Sequence, residues 1–183
     1  MNNVKKEMWE WLTALMIGIL IVMLFKMFLV TNYEVVGESM MPTLNNEDKV
    51  VVSKMSKVER MDIVIFHGEQ QEDYVKRVIG LPGDKISYEN DELYINNTKV
   101  KEPYLRSYSA YENPDENFTG DFDLEELTGN KQVPPGKLFV LGDNRISSMD
   151  SRYFHFVDME EIVGEVQARY WPMSQATIEF YSE

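Results

Sequence analysis

Between Trp11 and Val30 the chain reads WLTALMIGILIVMLFKMFLV, with Lys26 as its single charge. Coiled as a helix, a run of this length spans the hydrocarbon core of a bilayer. Lys26 sits near one end, where a lysine can extend its ammonium to the headgroups, and Trp9 and Trp11 suit the interface at the other. A cleaved leader would have a shorter apolar core followed by a small-x-small site. Here the run is too long, and the VTNYEVV that follows offers no such site. An uncleaved anchor over 11–30 is therefore expected. Lys5 and Lys6 precede it and Glu34 and Glu38 follow it, so the charge bias predicts a cytoplasmic segment 1–10 and an extracytoplasmic domain 31–183. The expected location is the cell membrane, crossed once, with the N-terminus inside.

The rest of the chain reads as mainly β. KVVVSK (Lys49–Lys54) and MDIVIF (Met61–Phe66) are β-branched runs, and DYVKRVIG (Asp73–Gly80) ends in the turn signal Leu81-Pro82-Gly83-Asp84. KISY (Lys85–Tyr88) and ELYI (Glu92–Ile95) follow. Asn96-Asn97 tolerates positive φ and predicts a hairpin into TKV (Thr98–Val100). KLFVL (Lys137–Leu141), GEVQARYW (Gly164–Trp171) and ATIEF (Ala176–Phe180) complete the expected strands. Short strands at close spacing predict coiled antiparallel sheets or a barrel-like fold. Between about 101 and 135, polar residues, Tyr and Pro dominate without apolar periodicity, which predicts a solvated, partly ordered insertion.

Composition narrows the function. A net charge of −13, from 18 basic and 31 acidic residues, argues against a nucleic-acid surface, which needs a basic footprint. With no cysteine and only His67 and His155, the chain offers no thiolate site and scarcely a histidine one, so no metal and no cofactor are expected.

Three clusters have residue types that do chemistry: Gly37-Glu38-Ser39-Met40-Met41-Pro42, Tyr74-Val75-Lys76-Arg77, and GDNRISSMDSR from Gly142 to Arg152. Taken singly, each reads as ordinary turn or surface sequence. The second is less ordinary. In a strand, Tyr74, Lys76 and Val78 share one face and Val75, Arg77 and Ile79 the other, and neither face is plainly polar. One of the two cations must then lie among apolar groups or find a partner. A lysine so placed loses solvation and its pKa falls from about 10.4, far enough at about 7–8 for its amine to act as a general base. A Ser-Lys pair is the known alternative to Ser-His-Asp chemistry, and the aromatic neighbours of His155 and the strand-end position of His67 favour structural or surface roles for both.

Together, GESMMPTL, MDIVIF, YVKRVIGLPGD and GDNRISSMDSR resemble, in order, the boxes of the type I signal peptidases, in the short single-span form of Gram-positive bacteria. The likeness runs from the anchor to about Trp171 and is weakest across 101–135. It implies Ser39 as nucleophile, Lys76 as general base, Ser148 as the hydroxyl that hydrogen-bonds and orients Lys76, and Asp150 and Arg152 as braces. Arg77 and Asp143 are implied as a structural ion pair, and Arg145 as a further brace. The Ser39 backbone N–H is implied as one oxyanion donor. Many relatives add a serine hydroxyl two residues earlier, where this chain has Gly37.

The substrate implied is a signal-peptide-bearing pre-protein, bound as an extended strand with small pockets for the −1 and −3 side chains and cut beside membrane lipid. Ser39 follows the span closely enough to lie within roughly 32 Å of its end. Met40 is a candidate substrate-lining residue, and with Met41 a candidate lipid contact, although core packing serves a methionine equally well. The alternatives are a non-catalytic homologue acting in pilus or surface-protein assembly, and a Ser-His hydrolase using one of the two histidines.

Overall fold

The computed structural model describes residues 2–68, 72–105 and 118–180, without the side chains of 2–4 and 24–28. Helix α1 (Asn2–Leu29) runs directly into strand β1 (Val30–Glu34), so the helix ends one residue before the expected boundary. Then follow β2 (Lys49–Ser53), β3 (Ile63–His67), β4 (Asp73–Gly80), β5 (Ile86–Glu89), β6 (Glu92–Ile95) and β7 (Thr98–Val100). The chain closes with β8 (Phe122–Asp123), β9 (Lys137–Leu141), β10 (Val157–Asp158) and β11 (Ile162–Trp171).

The strands form two antiparallel sheets. The larger has the order β1-β2-β11-β3-β4-β9-β10 and the smaller β7-β6-β5-β8. Among the described residues the larger sheet is open rather than closed into a barrel, and β1 and β10 are its edges. Asn96 and Asn97 both take positive φ and turn β6 into β7 in a two-residue hairpin, as their chemistry predicts. Asn90 and Asp91 do the same between β5 and β6.

Local pattern explains which faces are covered. β2 alternates buried and half-buried residues, whereas Ile63–Phe66 of β3 are buried on both faces. One core packs Val35, Met40, Leu44, Val50 and Val166 beneath the segment that follows β1. A second packs Val64, Val78, Leu138 and Val140. A third joins the two sheets through Ile79, Tyr88, Leu93, Phe139 and Leu141.

Two expectations need correction. Ala176–Phe180 is not a strand; only an isolated bridge joins Thr177 to Arg169. The insertion is not solvated throughout. Its ends fold into the protein: Leu124 and Val133 enter the core between the sheets, and Leu124–Thr128 is a short helix capped by Asp123. Its middle, 106–117, lies outside the described residues.

From Met8 to Met23 the apolar side chains of α1 are exposed on every side of the helix. Among the described residues no helix is long and apolar enough to cross a membrane. The described side chains of α1 include Lys5, Lys6, Glu7 and Glu10, while the side chains of 24–28, inside the expected span, are not described.

Candidate active site

The segment after β1 leaves the sheet at Val35 and turns at Gly37, whose φ of 92° suits a residue without a side chain. Val35 N–H donates to the Asp48 carbonyl and Leu44 N–H to the Met40 carbonyl, closing a compact loop around Ser39. Met40 anchors the loop from below. It is only 1% exposed and packed among Val35, Leu44 and Val50, so it does not line the groove, and the substrate-lining expectation is corrected. Its bulk is better accommodated as core, where a flexible thioether fills space.

β4 lies across from this loop. Lys76 is buried, and its Nζ lies 2.7 Å from Ser39 Oγ and donates to the Val75 carbonyl at 3.0 Å. Burial lowers the Lys76 pKa to about 8, against the opposing pull of Asp150 and Asp143. The two anionic neighbours do not restore the ordinary value, because the loss of solvation outweighs their pull. Arg77, wholly buried, binds Asp143 through both carboxylate oxygens at 2.8 and 2.6 Å. Thr43 Oγ1 donates to the same carboxylate. Removing one partner of a pair so enclosed costs about 3–5 kcal/mol, since the other charge is stranded. Asp150 accepts from Gly142 N–H and pairs with Arg152.

The loop Gly142–Arg152 closes over the pair. Asn144 N–H donates to the Ser39 carbonyl at 3.0 Å and its side-chain amide to the Glu38 carbonyl at 3.2 Å. Gly142 is required by contact: a Cβ there would collide with Ser148 Oγ and the Ser39 carbonyl oxygen. Ser148 is buried beside the dyad, but the implied hydrogen bond to Lys76 is not formed, and its hydroxyl has no partner among the described residues. The amine points instead at Ser39 and at its own strand. Arg145 is buried and reaches Gly142 O, Thr119 Oγ1, Tyr88 and Glu102. Asn144 and Glu102 escaped the sequence reading. Asn144 stood inside a recognised box, but Glu102 gave no signal in a segment that reads as polar insertion.

The backbone N–H of Ser39 donates to no group among the described residues, as an oxyanion donor requires. Gly37 supplies no hydroxyl, and its N–H is taken by Asn46 Oδ1 at 2.9 Å. His67 is exposed and bound to Asp73, and His155 is exposed at the end of the helix Ser151–Phe154; neither hydrogen-bonds to Ser39.

A groove of about 560 Å³ runs past the dyad, walled by Tyr33–Ser39 on one side and Glu72–Lys76 on the other. β1 is a sheet edge, and β4 pairs with β9 only from Arg77 onward, so both walls have backbone groups free to pair with an extended chain. Among the described residues no cluster of side chains could hold a metal ion.

A family profile described as "Signal peptidase, peptidase S26" matches residues 8–171. The chain is 51% identical over 176 residues to a signal peptidase I of Bacillus caldolyticus, covering 94% of each chain. It is 41% identical over 187 residues to a signal peptidase IB of Staphylococcus aureus, covering 98% of this chain and 97% of the other. Among solved structures, a signal peptidase I from Enterococcus faecalis matches with a TM-score of 0.58 and 44% identity, over 60% of this chain and 97% of that one.

Proposed function

The chain belongs to the signal peptidase family, and from that membership we propose that Ser39 and Lys76 carry out its peptide-bond cleavage as a nucleophile–base pair. It is a serine endopeptidase that removes signal peptides from pre-proteins; relatives named as enzymes at this identity leave the non-catalytic alternative without support. The observation that carries the residue assignment is the buried Lys76 amine, 2.7 Å from Ser39 Oγ, with its pKa lowered to about 8.

The reaction is acyl transfer. Neutral Lys76 takes the Ser39 hydroxyl proton as Oγ attacks the scissile carbonyl, and the tetrahedral oxyanion is met by the Ser39 N–H. Lys76 then gives its proton to the departing amine. A water, deprotonated by the same amine, attacks the ester; the acyl–Oγ bond breaks, Lys76 returns that proton to Ser39 Oγ, and the signal peptide is freed. The extended substrate lies between β1 and β4, paired to both edges. Arg77, Asp143, Arg145, Asp150 and Arg152 hold the frame, and Ser148 packs against Gly142 in the loop bonded to Ser39.

Helix α1 is the membrane anchor in this reading. Apolar side chains exposed all round a helix have no protein partner to cover them, and the sequence run to Val30 has the length of a span. The anchor carries residues 31–183 to the extracytoplasmic surface, where signal-peptide cleavage sites emerge. In detergent, Ser39→Ala and Lys76→Ala lower pre-protein cleavage at least 10³-fold, while replacing both histidines leaves it unchanged. Wild-type turnover in either dyad variant contradicts the assignment, and loss of turnover with the histidines transfers the base role to one of them.

A further inference from the structure

After β7 of the smaller sheet comes the short segment Glu102–Leu105, which includes a single 3₁₀ turn (Pro103–Leu105) and packs behind the loop Gly142–Arg152. Its Glu102 carboxylate accepts from Tyr88, from Tyr104 at 2.6 Å, and from the buried Arg145 guanidinium. Arg145 and Glu102 expose almost nothing of their side chains, and Glu102 is the carboxylate paired with Arg145 among the described residues. From the same guanidinium, Nε donates to the Gly142 carbonyl at 3.0 Å. Tyr104 lays its ring 3.9 Å from the Arg77 guanidinium, which grips Asp143. One segment of the second sheet thus touches both buried arginines behind the catalytic loop.

Resting on the Ser39–Lys76 reading, we infer that Glu102, assisted by Tyr104, is a positioning residue for cleavage: it sets Arg145, and through it the loop Gly142–Asn144 that holds Ser39. The physical chain is short. Ser148 Oγ and the Ser39 carbonyl pass against the α-carbon of Gly142 with no room for a methyl group. Asn144 N–H is bonded to that same carbonyl. A displacement of Gly142 by a few tenths of an ångström therefore moves the nucleophile's own backbone, and nucleophilic attack is sensitive to shifts of that size. A carboxylate binding a guanidinium holds its place more firmly than a neutral amide does, because the contact is charge-assisted. Glu102 touches neither the groove nor the reacting atoms, so its loss changes the chemical step and not the binding of substrate.

The test is steady-state cleavage of a pre-protein by the full chain in detergent, with active concentration corrected for the folded fraction measured by circular dichroism. Wild type and Ser39→Ala are run alongside. Glu102→Gln is expected to lower kcat by about 10–100-fold with KM within about 2-fold, and Glu102→Asp to recover to within about 3-fold of wild type. Tyr104→Phe, which keeps the ring on Arg77 and loses the hydroxyl on Glu102, is expected to lower kcat by about 3–10-fold. If folded Glu102→Gln matches wild type in kcat, or loses activity only through KM, the inference is wrong. If Glu102→Gln does not fold, Tyr104→Phe decides: a wild-type kcat there overturns it. Absence of cleavage by wild type, or cleavage by Ser39→Ala, instead refutes the underlying dyad reading.

Discussion

Lys76 sits where a lysine is least comfortable, and the discomfort makes it usable. Its amine loses a proton near pH 8 in the folded protein and near 10.5 when unfolded. Between those values the unfolded chain binds more protons, so folding stability rises with pH across that window and is lowest below pH 8. Lys76→Met removes the buried ammonium and keeps the volume. The variant should be inactive yet more stable than wild type at pH 7 by up to about 3 kcal/mol, with the advantage fading toward pH 10.5. Urea denaturation of both proteins at pH 7 and pH 10 reads this directly. Equal stabilities at both pH values would mean that the amine is not desolvated as its burial implies. Met40, the residue next to Ser39, has the opposite character: a buried core residue that steadies the loop.

Strands and loops divide the labour of holding the pair. β4 fixes Lys76 and Arg77 through its pairing with β3, and the loop after β9 fixes Ser39 from the other side. Gly142 is the narrowest point of that loop. Gly142→Ala forces Ser148 and the Ser39 carbonyl apart, so cleavage should fall about 10-fold or more, with a stability cost of about 1–3 kcal/mol. Cleavage kinetics with a thermal melt measure both, and an unimpaired variant would mean that the loop has slack. β4 was readable in advance because alternation, two cations on non-polar faces and a Pro-Gly turn that closes the run all fall between Asp73 and Gly83. The Asn96-Asn97 hairpin was readable because its turn chemistry is local. β1, β8 and β10 were not. β1 lies where the apolar run ends, and the two-residue strands β8 and β10 exist only through their partners. The same holds for Ala176–Phe180, whose β-like composition found no strand to pair with along its length. At the site, the Ser39–Lys76 approach was implied by resemblance alone. Glu102 was invisible because its meaning depends on Arg145, forty-three positions away.

The whole molecule is a β domain on a bare helix. The cores that enclose the site are built from strands, loops and the short helix Leu124–Thr128, with none of the described side chains of α1 among their residues. Removing residues 1–29 should therefore leave a folded domain that still cuts a short soluble peptide at close to the full-chain rate. Its cleavage of pre-proteins embedded in vesicles should fall by about 10-fold or more, because α1 no longer concentrates it at the bilayer. Alkaline carbonate extraction should leave the full chain in the membrane fraction and release the truncated one. Release of both would remove the anchor from the account. At the centre stands the buried amine 2.7 Å from Ser39 Oγ, which acts as a base only in its neutral form, and the most direct measurement is the pH dependence of kcat/KM on a pre-protein in detergent. The expected profile rises through an apparent pKa of about 8, the value that burial gives Lys76. A rise only near the free-lysine value of about 10.4 would contradict it.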